Sequence, residues 1–286
     1  DVSDHVFELY SKNMEKRQNN LGFVSSNEKD LKDEILQKME FSFEIKQSLT
    51  NLSSNTDSST TGYVMWQLTP FFLKWLLYSK HPFHDLIFEH YHEYRRNNKK
   101  ELVIVELGSG ISGISATILL NFCDRYIATD QHNLLKLMRE NIISNCHLNS
   151  INFNSKTIGH QKNNQSHNHV TIESIEFDWE EPLDGIYELN EVMALEQETS
   201  YSSLIIACDT IYNEYLMEHF INAMAAIHRN NDERKVVDVG ALVAMQLRDN
   251  CIVQMFLERL LEAQFDVFHL PEELLSDELQ NGFSIY

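Results

Sequence analysis

The feature that most constrains this chain is a near-continuous apolar run, Leu102 to Leu107 (LVIVEL), that leads directly into Gly108, Gly110 and Gly113. A half-exposed strand would alternate apolar and polar residues. A run that is apolar almost throughout belongs to a strand buried on both faces, as in a parallel sheet covered by helices on each side. Glycines at its end let the backbone turn tightly and approach a ligand closely, where a helix begins.

The downstream segments continue this alternation. The pattern predicts a helix over 112–122, a strand over 126–129 ending at Asp130, and a helix over 133–149. A third strand over 171–177 ends at Asp178 and Trp179, and a fourth over 203–208 ends at Asp209. A helix over 214–228 and a strand over 236–245 come next. A helix over 248–263 then places Ile252, Val253, Phe256, Leu257, Leu260 and Leu261 on one face. Residues 265–270 and 282–286 are expected to supply two final strands. Strands alternating with helices predict an α/β fold with a doubly wound, mostly parallel, seven-stranded sheet.

Ahead of this unit, residues 1–61 are expected to form an extension. A helical face recurs over 27–40, Phe41, Phe43 and Ile45 alternate as a strand would, and 50–61 has the composition of a flexible loop. The main domain is expected over 62–286. It opens with an extended segment over 62–67 and a helix with Thr69 as N-cap and Pro70 in its first position. A basic linker over 95–100 precedes the first strand, and a polar, low-complexity insertion interrupts the domain at 152–169.

Composition excludes several classes. No apolar run approaches the ~18 to 20 residues that span a bilayer. The opening DVSDHVFELYSKN lacks the basic start and apolar run of a signal peptide, so a cytoplasmic location is expected, with the nucleus open. Cys123, Cys146, Cys208 and Cys251 form no close pair and lie in apolar segments, which predicts buried, reduced thiols. His160, His167 and His169 cluster in an Asn/Gln/Ser-rich stretch, the composition of a solvated loop, and no metal is expected. The formal charge of −20 disfavours direct nucleic-acid binding and suits a basic protein partner. A monomer is expected.

The glycines spell G-x-G-x-x-G, which by itself fits a dinucleotide. Glu106 argues otherwise. It lies two residues before Gly108, where a carboxylate would repel a pyrophosphate. S-adenosylmethionine brings an amino group and a sulfonium instead, which carboxylates favour. Asp130, 20 residues after Gly110, can bind the two hydroxyls of a ribose. Asp178 and Trp179 offer adenine a polar acceptor and a flat face. Acids at the tips of three strands (Asp130, Asp178, Asp209) surround the end of the sheet where ligands bind. Each acid alone could be a turn residue or a cap; the pattern lies in their joint placement. The cofactor-binding residues expected on these grounds are Glu106, Gly108, Ser109, Gly110, Asp130, Asp178 and Trp179, with S-adenosylhomocysteine as product.

The residues also carry a narrower resemblance. Asp209-Thr-Ile-Tyr212 after the fourth strand looks like the D-x-x-Y signature of the family-16 methyltransferases, mostly protein lysine methyltransferases. Gly62-Tyr-Val-Met-Trp66, Asp178-Trp179 and the segment from Val239 to Arg248 resemble that family's other motifs, and the likeness covers roughly 41–286. The tail and the Asn-rich insertions look most like the fungal ribosomal lysine N-methyltransferase branch. The resemblance adds Trp66 and Cys208 to the expected cofactor-binding residues, and position 208 carries Cys where the family commonly has a smaller residue.

The resemblance implies a Rossmann-like, class I S-adenosylmethionine-dependent protein-lysine N-methyltransferase acting on a large-subunit ribosomal protein. Asp209 and Tyr212 are then the expected catalytic residues, Asp209 orienting the incoming ammonium and Tyr212 offering a ring face or hydroxyl. Trp66 is expected to cover the cofactor and wall the lysine channel. No [ND]-P-P-[YFW] motif for amide or exocyclic amines is present, and no Pro-Cys for cytosine C5. A methyltransferase acting on RNA or a small molecule and a non-catalytic interaction module on the same fold are the alternatives.

Overall fold

The computed structural model describes residues 1–13, 41–48, 61–78, 101–159, 170–193 and 201–286. The helix expected over 27–40, the linker over 95–100 and the histidine cluster lie outside the described residues, as do 50–60 of the expected loop and 160–169 of the insertion. The described elements are α1 (Val2–Asn13), α2 (Leu68–Tyr78), β1 (Glu101–Leu107), α3 (Ile114–Leu119), β2 (Arg125–Asp130), α4 (His132–Leu148), β3 (Thr171–Glu176), α5 (Pro182–Val192), β4 (Tyr201–Cys208), α6 (Glu214–Glu233), β5 (Val237–Gln246), α7 (Asn250–Glu262) and β6 (Phe283–Ile285).

The strands form one sheet in the order β3-β2-β1-β4-β5-β6. The first five are parallel, and β6 returns antiparallel to β5. Reversal of strand order beside β1 puts the mouth of the sheet between β1 and β4, where such folds bind ligands. Alternate residues of each central strand serve opposite faces. Leu102, Ile104, Leu204 and Ile206 pack with α2, α3 and α4, while Val103, Val105, Ile205 and Ala207 pack with α1, α5, α6 and α7. Burial on both sides is what the LVIVEL run requires. On α7, Val253, Phe256, Leu257 and Leu260 are buried, whereas Leu261 is half exposed at the edge of the apolar stripe.

The sheet has six described strands rather than the seven expected. Residues 265–270 run extended but enter the sheet's bonding only through the Leu270 N–H, which donates to the Ile285 carbonyl at 3.0 Å. Phe268 is 77 % exposed there, so the apolar residues of this segment do not all face a core. The segment over 62–67 is a turn, not a strand, and α2 begins at Leu68, ahead of the expected Thr69 cap. Cys251 is exposed, against expectation, because the first turn of α7 points it away from the face that carries Val253.

Phe41, Phe43 and Ile45 alternate inward as predicted, yet their segment is not a strand. Its partner is a row of asparagines on α4. Asn149, Asn145 and Asn141, one helical turn apart, accept the N–H groups of Ser42, Glu44 and Lys46 at 2.9, 2.8 and 2.9 Å. Their amides donate back to the carbonyls of the same three residues. Side-chain amides thus complete the backbone bonding that a neighbouring strand would supply.

Candidate active site

All eleven residues expected at the site line one cleft of about 270 Å³ at the carboxyl end of the sheet. The β1 end supplies Glu106, Gly108, Ser109 and Gly110; the β2 tip supplies Asp130; the β3 end supplies Asp178 and Trp179. The β4 end supplies Cys208, Asp209 and Tyr212, and the turn before α2 supplies Trp66. These residues converge because parallel strands all end on the same side.

The glycine loop is built for close approach. Gly108 has φ +71, a left-handed conformation, and an added Cβ would lie 2.6 Å from Thr210 Cγ2 and 3.1 Å from the Trp179 ring. Only glycine fits. Ser109 is fastened to β2 in both directions: its N–H donates to Thr129 O at 3.0 Å, and its Oγ accepts the Thr129 N–H at 3.1 Å. Gly110 donates its N–H to Asp130 Oδ2 at 2.7 Å.

Two acids at the base of the cleft hold their protons unusually well. Burial pushes the Glu106 carboxyl up, opposed by hydrogen bonds from Ser115, Tyr126 and Ser109. Burial likewise pushes Asp130 up to about 6, with Glu106 adding to the effect and the Gln131 and Gly110 amides opposing it. The Cys208 thiol is driven well above its ordinary value, first by burial and then by Glu106 and Asp209. A buried, protonated thiol of this kind is no nucleophile.

Trp179 forms a wall. Its ring meets Phe220 edge-on, centroids 5.2 Å apart at 77°. Asp178 Oδ1 accepts the Glu180 N–H at 3.0 Å, and Glu180 in turn accepts the Tyr215 hydroxyl at 2.9 Å across the rim.

Asp209 comes directly after β4 with φ 56, a strained conformation for a residue other than glycine. Its N–H donates to Ala244 O at 2.8 Å. Its carboxylate is 1 % exposed and faces Arg248, whose Nη1 and Nη2 donate to Oδ1 and Oδ2 at 2.6 and 2.5 Å. The sequence assigns this carboxylate to an incoming ammonium; in the structure both oxygens already have a cationic partner. Tyr212 is held by Thr61, in the turn that carries Trp66. Burial raises its phenol, and hydrogen bonds from Thr61 oppose that shift.

The donor set fits S-adenosylmethionine. Glu106, Asp130, Asp178 and Glu180 line the cleft beside Asp209, whose charge Arg248 offsets, and no lysine or arginine is among the described lining residues. Such a surface favours a ligand bearing an ammonium and a sulfonium over one bearing a pyrophosphate.

Residues 46–262 match the family model described as "Lysine methyltransferase". The chain belongs to this lysine methyltransferase family. It is also similar to "Ribosomal lysine N-methyltransferase 5" of Kluyveromyces lactis, 30 % identical over 96 % of this chain and 92 % of the relative. The protein of the same name from Lachancea thermotolerans is 30 % identical over 90 % of this chain and 87 % of its own length. That from Vanderwaltozyma polyspora is 27 % identical over 99 % and 95 %. Among the described residues of this lysine methyltransferase, no helix is long and apolar enough to cross a membrane.

The structure adds lining residues that the sequence alone did not single out. Thr61, Thr210, Tyr215 and His219 complete the wall. Tyr215 and His219 are one turn apart on α6 and lie soon after Tyr212, a spacing that could have pointed to them. Thr61 carries no such signal, since it lies in a Ser/Thr-rich stretch.

Proposed function

We propose that this chain transfers the methyl group of S-adenosylmethionine to a lysine ε-amine of a basic, large-subunit ribosomal protein. The observation that carries the reading is one acid-lined cleft, bounded by the glycine loop, Asp130 and Trp179 on one side and by the Asp209–Tyr212 turn on the other. Methyl transfer needs both parts, a cradle for the donor and an opening for an amine.

When bound, S-adenosylmethionine supplies a methyl carbon already activated by its sulfonium. The residues around it bind and orient. Gly108, Ser109 and Gly110 offer backbone groups, Glu106 and Cys208 close the floor, and Asp130 takes the ribose hydroxyls. Asp178 and Trp179 take the adenine. Asp209 and Tyr212 form the acceptor side, and Trp66 covers the cofactor while walling the lysine channel. A free lysine has a pKa of about 10.4, so its amine must arrive or become neutral before it attacks. The enzyme's task is to hold that amine in line with the departing sulfur.

The ribosomal target is supported by the names of the similar fungal proteins and by the formal charge of −20, which draws basic proteins. In this reading residues 62–286 carry the catalytic domain, 1–61 are its extension, and a monomer works in the cytoplasm. Tritiated S-adenosylmethionine and the purified chain, added to large ribosomal subunits from a strain lacking it, should label a protein band. The label should resist ribonuclease and appear as methyl-lysine after acid hydrolysis. Label in RNA, or in no macromolecule, would overturn the reading.

A further inference from the structure

Arg248 stands just past β5, outside the cofactor cradle, yet its guanidinium joins two walls of the cleft. In its plane it makes the paired bonds to Asp209, at 2.6 and 2.5 Å. Its Cζ also lies over the Trp66 indole, 5.2 Å from the ring centroid. A planar, delocalised, weakly hydrated cation can do both at once; an ammonium cannot.

Each partner is itself anchored. Asp209 is fixed by its bond to Ala244 and by the Gln246 N–H, which reaches Oδ1 at 3.4 Å. Trp66 Nε1 donates to Thr61 O at 3.3 Å. The neighbouring Gly62 carbonyl accepts the Ile111 N–H at 2.9 Å, tying this turn to the glycine loop. Arg248 is therefore a second link, beside the Thr61–Tyr212 hydrogen bonds, between the β4 end and the turn carrying Trp66.

We propose that Arg248 is a positioning residue for methyl transfer. It locks Asp209 and holds Trp66 against it, so that the mouth admitting the lysine side chain is preformed. This rests on the lysine-methyltransferase reading. The attacking amine must lie close to the methyl carbon and in line with it, and a displacement of about 1 Å costs on the order of a hundredfold in rate. The bonds to Asp209 lie on the acceptor side of the cleft, and Trp66 keeps its own anchor to Thr61 O when Arg248 is removed, so loss of Arg248 should spare the cofactor.

The test compares single-turnover methylation of large ribosomal subunits, KM for those subunits, and calorimetric binding of S-adenosylhomocysteine. Arg248→Met should lower the rate about tenfold or more, with KM and product affinity within about twofold of wild type. Arg248→Lys keeps the charge but not the fork or the stack, and should recover only part of the rate. Because Arg248→Met strands a buried carboxylate and can misfold, the pair Asp209→Asn/Arg248→Met serves beside it, with circular dichroism as the check of folding. If the two residues act as a unit, the double variant should be no slower than the worse single.

A wild-type rate in Arg248→Met overturns the proposal. So does a parallel loss of product affinity, full rescue by lysine, or a double variant whose loss equals the product of the two singles. Wild-type chain that labels no lysine overturns the lysine-methyltransferase reading itself, a result separate from the behaviour of any variant.

Discussion

Asp130 and Gly110 are joined by a 2.7 Å hydrogen bond, so the acid at the tip of β2 and the glycine loop after β1 form one unit. The second carboxylate oxygen takes the Gln131 N–H at 2.8 Å. These bonds favour the charged form, yet burial prevails and the carboxyl sits at about 6. Ribose hydroxyls donate best to an ionised acceptor.

Product affinity should therefore rise with pH through about 6 and level off above it. A raised carboxyl pKa means protonation below that point, and at pH 5 only about a tenth of the groups are charged. Calorimetry with S-adenosylhomocysteine between pH 5 and 8 should show a dissociation constant several-fold larger at the acid end. Asp130→Asn should bind weakly at every pH. A flat profile in the wild type would separate Asp130 from the ribose.

Gly108→Ala should damage the cradle twice. Alanine is strained at φ +71, and its Cβ would meet Thr210 Cγ2 at 2.6 Å. Product binding should weaken by about tenfold or more, a loss on the order of 1.4 kcal/mol. Adding Thr210→Ser removes the clashing methyl and should restore part of the affinity, with the remaining loss due to backbone strain. If Thr210→Ser restores nothing, the contact is not the cause.

Trp179→Ala should loosen adenine binding, since its ring walls the cleft and is braced edge-on by Phe220. Loss of aromatic contact should cost on the order of 1–2 kcal/mol, or about 5- to 30-fold in dissociation constant. An unchanged constant in a folded variant would move the adenine elsewhere.

Asn145 offers a prediction about stability. It is fully buried, accepts the Glu44 N–H at 2.8 Å, and donates to Glu44 O and Asn141 O at 3.1 and 2.8 Å. Asn145→Ala removes three hydrogen bonds, two of them to the backbone of Glu44, at a cost of about 2–3 kcal/mol. The melting temperature should fall by roughly 5–10 °C. A change of less than about a degree would mean that water replaces the amide at no cost.

The same asparagines show where sequence reading stops. Strand ends were legible because a buried parallel strand writes itself as an apolar run, and the residue just past the run must face the open end of the sheet. Hence Asp130, Asp178 and Asp209 could be placed together from sequence alone, and Glu106, inside the first run, joined them through its place two residues before Gly108. Alternation at Phe41, Phe43 and Ile45 correctly told which side chains face the core, because any extended segment alternates. It could not tell that the partner is a helix face. The expected strand over 265–270 failed for a related reason: its backbone meets β6 only at Leu270. The Arg248–Asp209 pair was hidden because it depends on β4 and β5 lying side by side, with Cys208 opposite Ala244.

The last prediction separates the two halves of the cleft. Asp130 belongs to the cradle through Gly110, while Asp209 lies past β4 and bonds to Arg248 and the end of β5. Asp209→Asn should therefore leave S-adenosylhomocysteine affinity within about twofold of wild type yet lose most single-turnover methylation of large ribosomal subunits. Removing transition-state positioning alone can cost several kcal/mol, or on the order of a hundredfold or more in rate. Asp130→Asn should do the reverse, weakening product binding in proportion to its loss of rate at low cofactor and recovering as cofactor is raised. Asn keeps one acceptor for Arg248 but not the charge, so Asp209→Asn should also melt lower, since the partly exposed guanidinium loses its charged, two-oxygen partner. Should Asp209→Asn methylate at the wild-type rate, Asp209 has no part in the acceptor side. Should it lose cofactor affinity in step with activity, the division of the cleft into a donor half and an acceptor half is wrong.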